Sequence, residues 1–291
     1  MTARTISSVL REVRTTLLKA GLSEADSRLE GELLLRNVLG WDAVRLYTSF
    51  RDEISEDALS RLRDPIVRRA VREPLAYIIG HCDFFNRKFQ IDKRALIPRP
   101  ETELLVERAI AMSNQHKGES LRIADIGTGS GILAITLALE LPQSEIVAVD
   151  TSVEALELAK SNGILHGVSD RINWIIGFLT KPLTEQYNII VANLPYVLSD
   201  NLANLEPEIG FEPLDALDGG PCGMRYIEPI IRDLPERLMP DGVALLEIDP
   251  PVAAPAKRVA MATFPGGKTT ILTDFGGHER CLEIVNNQGQ N

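Results

Sequence analysis

The stretch VANLPYVLSD, Val191 to Asp200, ends an apolar run with an amide, a proline and an aromatic ring. The run from Tyr187 to Ala192 reads as a strand. Asn193 then offers one acceptor oxygen and two donor hydrogens. Pro195 fixes its own φ and restricts Leu194 to extended geometry, which would aim the Leu194 carbonyl outward. The side-chain oxygen of Asn193 and that carbonyl would together accept both hydrogens of one planar –NH2 group, with Tyr196 stacked on its plane. Such a grip suits transfer of an electrophilic methyl group to an amino nitrogen. No strong base sits in the motif, so its contribution would be orientation and near-attack geometry. The same four residues also read as an ordinary strand-ending turn.

A second motif bears on that choice. In ADIGTGSGILAI a strand ends at Ile126, glycines stand at Gly127, Gly129 and Gly131 with Thr128 and Ser130 between them, and a helix follows. Glycines let the backbone turn tightly and approach a ligand closely. Alone, the loop is equally a tight strand-to-helix turn. The next strand, EIVAVD, ends in Asp150, about 20 residues on, where an acid typically holds ribose hydroxyls. Asp150 would also serve as a cap for the helix that follows it. Loop and acid together suggest a nucleoside cofactor. The spacing G-x-G-x-G lacks the third glycine of the dinucleotide fingerprint, which favours S-adenosylmethionine over NAD.

The elements that must position these residues follow from periodicity. The first ~75 residues read as a small bundle of short helices. Ile6, Val9, Leu10, Val13, Leu17 and Leu18 recur at helical spacing, as do Leu29, Leu33, Leu34 and Val38. Gly21 stops the first helix, Ser23 with Asp26 caps the second, and Ser55 opens another. Phe85, Phe89 and Ile91 alternate with polar residues as in a hairpin that ends at Pro98 and Pro100. Beyond Pro100, helices and strands alternate, which predicts a doubly wound, mainly parallel sheet closed by an antiparallel pair. The expected domains are residues 1–75, a hairpin linker over 76–100, and 101–291.

Composition narrows the class. The 291 residues are 44% hydrophobic and 25% charged, as in ordinary soluble domains. A net charge of −10 argues against a general nucleic-acid binder. The basic stretch Arg61 to Arg72 reads as a solvated helix face. No run has signal-peptide or membrane-spanning character, so a cytoplasmic protein with no membrane partner is expected. Cys82, Cys222 and Cys281, and His81, His116, His166 and His278, are too scattered to suggest a disulfide framework or a metal site.

With these motifs in hand, the chain resembles the release factor glutamine N5-methyltransferases, the HemK/PrmC family, over nearly its whole length. LIPRPETE and ALDGG carry the likeness more specifically than the glycine loop, because general methyltransferases lack them. The resemblance implies a seven-stranded class I methyltransferase (Rossmann-like) domain behind the helical bundle and hairpin. It implies methylation of the glutamine side-chain amide in the Gly-Gly-Gln motif of class I peptide release factors. S-adenosylmethionine would be the donor and S-adenosylhomocysteine the product. Gly127 to Gly131 would line the methionine part, and Asp150 would hold the ribose. Asn193, which also borders the cofactor, and the Leu194 carbonyl would hold the glutamine amide. Pro195 and Tyr196 would shape that pocket, Arg99 to Glu103 would cover the cofactor, and the bundle would grip the release factor. A monomer with no direct nucleic-acid contact is implied.

The chain departs from the family pattern in places. Leu194 stands where the first proline of N-P-P-Y is usual, and N-L-P-Y also occurs in ribosomal RNA adenine dimethyltransferases. Methylation of a nucleobase amino group is therefore the alternative enzymatic reading. A cofactor-binding partner protein with weak catalysis is the other. Phe178 stands where an acid near the adenine is common, so Phe178 and Leu179 would pack against the adenine face instead. Three prolines in EIDPPVAAPAK predict a short or shifted helix there.

Overall fold

The computed structural model describes residues 4–114 and 120–287. The first three residues of the expected bundle and His116 lie outside them. The chain forms two compact units: Met1–His81 with Glu206–Phe211, and Cys82–Leu205 with Glu212–Asn291.

The first unit is helical: α1 (Ile6–Lys19), α2 (Glu24–Leu39), α3 (Ala43–Thr48), α4 (Glu56–Ala70) and α5 (Leu75–Ile79). Ser23 and Ser55 accept the backbone N–H groups of Asp26 and Ala58, capping α2 and α4. Gly21 and Gly40 end α1 and α2 with left-handed φ of 87° and 67°. Ile6, Val9, Val13 and Leu17 are buried, but Leu18 and Leu29 are exposed. The inward face of α2 runs instead through Ser27, Gly31, Leu34 and Leu35. A Cβ on Gly31 would lie 3.4 Å from Val13 Cγ1, so the small residue admits α1 at close range. The basic stretch in α4 is not wholly a solvated face. Arg69 is buried, bound to Glu30 and, at 2.8 Å, to Glu208, which Arg72 also reaches at 2.8 Å. Carboxylates on two sides satisfy a guanidinium that would otherwise be costly to bury.

A hairpin follows, β1 (His81–Phe84) and β2 (Arg87–Gln90), which from Cys82 onward belongs to the second unit. Phe85 and Asn86 form its turn, with φ of 48° and 57°. The turn takes Phe85 out of the alternation, and Phe84 is buried in its place beside Phe89 and Ile91. Phe84 and Phe89 pack in the core of this unit, so the hairpin is part of it.

There follow α6 (Glu103–Ser113), β3 (Arg122–Ile126), α7 (Ile132–Glu140), β4 (Glu145–Asp150), α8 (Val153–Leu165), β5 (Ile172–Ile176), β6 (Tyr187–Ala192), α9 (Ile227–Arg237), β7 (Leu238–Glu247), α10 (Pro250–Thr263), β8 (Lys268–Thr273) and β9 (Glu279–Val285). Seven strands form one sheet in the order β5-β4-β3-β6-β7-β9-β8. The pairings are parallel up to β7, and β9 runs antiparallel to both its neighbours. This is the class I methyltransferase arrangement that the resemblance implied. Ile123 faces a core built with α6 and α7, while Ala124 and Ile126 face one built with α9 and α10. Burial on both faces is why these strands read as continuous apolar runs.

One helix corrects the sequence reading. α10 is a full 14 residues. Pro250 and Pro251 occupy its first turn, where a missing N–H costs nothing, and only Pro255 lies in its interior. Among the described residues, no helix is long and apolar enough to cross a membrane.

Candidate active site

Three parallel strands deliver the motifs to one mouth. β3 runs into Gly127, β4 ends at Asp150, and β6 runs into Asn193. β3 lies between the other two, and the strand order reverses beside it, from β4 and β5 on one side to β6 and β7 on the other. Ligands of open α/β sheets bind at such a reversal, beyond the carboxyl ends of the strands. A cavity of about 710 Å³ opens there, within the range of small-molecule sites.

Gly127 to Ser130, Asp150, Phe178, Leu179 and Asn193 to Pro195 all line this cavity. Gly127 has φ of 76°, and a Cβ there would lie 2.9 Å from Leu194 Cδ2. The glycine thus makes room for the buried leucine of the amide motif. Gly131 acts behind the wall: a Cβ would come within 3.0 Å of Ala159 and Ile135, so its absence lets α7 pack on α8. Asp150 accepts from the Gly129 N–H at 2.8 Å and from the Ser152 N–H at 2.9 Å. Ser152, rather than Asp150, is the cap of α8. The Phe178 ring lies 6.1 Å from that of Tyr226, with the Lys181 ammonium 5.2 Å from its centroid.

The hydroxyl of Tyr196, whose ring is expected to stack on the bound group, donates to Glu247 Oε1 at 3.1 Å. Glu247 also accepts from Thr102 Oγ1 at 2.6 Å, and Thr102 Oγ1 accepts from Asn193 Nδ2 at 3.2 Å. Within RPETE, Thr102 lines the cavity. Arg99 donates to Glu212 at 2.5 Å, and Glu212 also accepts from the Ile97 N–H at 2.9 Å. Glu103 accepts from the Phe85 N–H at 2.8 Å, anchoring the hairpin turn.

Sequence reasoning passed over Asp125, Glu212 and Glu247, all buried. An acid inside an apolar strand was the available signal for Asp125 and Glu247. Asp125 Oδ2 accepts from Thr128 Oγ1 at 2.6 Å and from the Ala134 N–H at 3.1 Å, bracing both ends of the glycine loop. Burial pushes its carboxyl up to about 7, against these two hydrogen bonds and with added repulsion from Asp150. Unfolded, the group titrates near ~4. The folded chain binds the proton more tightly, so this group's stabilisation is lost as pH rises from about 4 to about 7. Asp125→Asn cannot ionise. Its melting temperature relative to the wild type should therefore be higher at pH 8 than at pH 5, a difference scanning calorimetry reads directly. A difference that stays constant with pH would mean that Asp125 does not titrate there.

The chain is similar to known proteins over most of its length. Residues 8–80 match the PrmC N-terminal domain, and residues 102–212 match ribosomal protein L11 methyltransferase (PrmA). A release factor glutamine methyltransferase of Deinococcus radiodurans is 34% identical over 280 residues, 95% of this chain and 97% of its own. One from Geobacter sulfurreducens is 38% identical over 84% of each chain. Among solved structures, the hMettl16 catalytic domain in complex with MAT2A 3′UTR hairpin 6 has a TM-score of 0.56. It is 17% identical and covers 78% of this chain and 83% of its own, a likeness of fold.

Proposed function

The chain belongs to the release factor glutamine methyltransferase family, and from that premise we propose that it methylates the side-chain amide nitrogen of the glutamine in the Gly-Gly-Gln motif of class I release factors. The observation that carries this reading is the meeting of the glycine loop, Asp150 and Asn193 in one cavity. The donor is S-adenosylmethionine, and the residues present fit it. Asp150 uses one hydrogen bond on each carboxylate oxygen for the protein. About four acceptor positions exist on a carboxylate, so two remain for ribose hydroxyls. The apolar walls at Phe178 and Leu179 suit an adenine face. The cofactor supplies an electrophilic methyl group and leaves as S-adenosylhomocysteine.

The protein's own part is orientation. Asn193 Oδ1 and the Leu194 carbonyl accept the two N–H groups of the glutamine amide. That fixes the amide plane and presents the nitrogen to the methyl group. As the new N–C bond forms and the methyl–sulfur bond breaks, the amide nitrogen gives up one proton to solvent. Pro195 holds Leu194 extended so that its carbonyl stays aimed. The helical first unit grips the release factor, which acts with this enzyme in the cytoplasm.

Incubation with radiolabelled S-adenosylmethionine and purified release factor should label the wild-type factor and not a Gly-Gly-Ala version. No label, with cofactor binding confirmed by calorimetry, would overturn the reading. Equal label in both factors would remove the glutamine as the target.

A further inference from the structure

From the cavity wall, a short chain of hydrogen bonds runs inward from Asn193 through Thr102 to a buried acid. Glu247 ends β7, and the register Ala192 to Leu246 sets Asn193 and Glu247 on neighbouring strand ends. Thr102 comes from a different part of the chain, the 3-10 turn Pro100–Thr102 ahead of α6, and is fully buried. Its single hydroxyl stands between them, 2.6 Å from Glu247 Oε2 and 3.2 Å from Asn193 Nδ2.

The proton inventory gives this chain a direction. A carboxylate only accepts hydrogen bonds. With Glu247 ionised, both Thr102 and Tyr196 donate to it. The Thr102 oxygen is then left to accept from Asn193, which must offer Nδ2. The other end of the same amide, Oδ1, is thereby turned to the substrate as an acceptor. A proton on Glu247 Oε2, the oxygen 2.6 Å from Thr102, reverses the order, whereas one on Oε1 would go to Tyr196 and leave it unchanged. From Oε2 the proton is donated to Thr102, the Thr102 proton turns to Asn193, and Asn193 must offer Oδ1 to it. Nδ2 would then face the substrate –NH2, donor against donor.

Resting on the glutamine-amide reading, we infer that Thr102 and Glu247 are positioning residues that translate the protonation of Glu247 Oε2 into the orientation of the Asn193 amide, so that methyl transfer requires that oxygen as an acceptor. The surroundings set where that charge is lost. Burial raises the Glu247 carboxyl to about 7, opposed by the Thr102 and Tyr196 hydrogen bonds. Glu101 on the turn beside Thr102 raises it further, and Arg280 on β9 lowers it. Cys281, opposite Glu247 in the β7–β9 register, holds its proton through burial, and Asp249 lies just ahead of α10.

The test compares Thr102→Val, Thr102→Ser and Glu247→Gln with the wild type on a release factor, measuring kcat across pH and cofactor binding by calorimetry. Valine keeps the shape and removes the hydroxyl. Misplacement of the acceptor on this scale costs roughly 10²-fold in rate. Thr102→Val should lose kcat by that factor with cofactor affinity unchanged, and Thr102→Ser should restore it. Wild-type kcat should fall as pH drops through the neutral range, because protonation turns the amide. Glu247→Gln cannot titrate and should lose that acid limb. If Thr102→Val matches Thr102→Ser, or the acid limb survives unchanged in Glu247→Gln, the inference is overturned. Should Thr102→Val fail to fold, the pH profile of Glu247→Gln decides alone. An inactive wild type would instead count against the proposed function.

Discussion

Asn193→Ala should lower methylation of a release factor by about 10²–10³-fold, the cost of removing one preorganised polar group from a reacting centre, while cofactor affinity stays within about two-fold. The loss is large because a side-chain amide is a poor nucleophile whose position must be supplied by the protein. Alanine removes the acceptor Oδ1 and leaves the Leu194 carbonyl to hold the amide alone. Asp150, on the next strand but one, keeps its bonds to the Gly129 and Ser152 N–H groups. The carboxylate proposed to hold the ribose is therefore left in place. Single-turnover rates with saturating cofactor read the chemical step, and calorimetry reads the affinity. An alanine variant with the wild-type rate would eliminate the amide grip as the source of catalysis.

Much of this site was legible because each motif sits at the end of its own strand. An apolar run followed by glycines, an acid or an amide is a local pattern, and the sheet then gathers three such ends without further instruction. Less legible were residues whose meaning depends on a distant partner. Thr102 and Glu247 are 145 residues apart in sequence, and neither shows its role alone. Arg69 looked like one charge in a basic run, yet its partners come from another helix and from Glu208, 139 residues on. Local phase was misread where a turn or a small residue reset it, as at Phe85 and along α2. The prolines of α10 misled for another reason: their cost depends on position within the helix, and a first-turn proline breaks no hydrogen bond.

The glycines of ALDGG show how a sequence signature can encode steric room for a site some twenty residues away. A Cβ on Gly219 would lie 2.6 Å from Tyr196 Cα, 2.7 Å from the Tyr196 carbonyl carbon and 2.9 Å from Gly223 Cα. All three are backbone atoms, so no side chain can swing aside. The same segment is pinned from both sides, since Val197 N–H bonds the Leu217 carbonyl at 3.0 Å and Gly219 N–H bonds the Val197 carbonyl at 2.8 Å. Gly219→Ala must therefore push the backbone of Tyr196, and with it the amide motif, out of place. We expect a stability loss of about 1–3 kcal/mol, as for overpacking of a filled core, and a fall in kcat of roughly 10²-fold for a displacement near 1 Å. Cofactor affinity should change far less, because the Asp150 side of the cavity stays seated. Gly266→Ala supplies the comparison, since a Cβ there meets nothing within 4 Å, and it should leave melting temperature and rate unchanged. If Gly219→Ala keeps the wild-type rate, the backbone beneath Tyr196 does not set the geometry of the amide grip, and the specificity of ALDGG must lie in its contacts to the release factor.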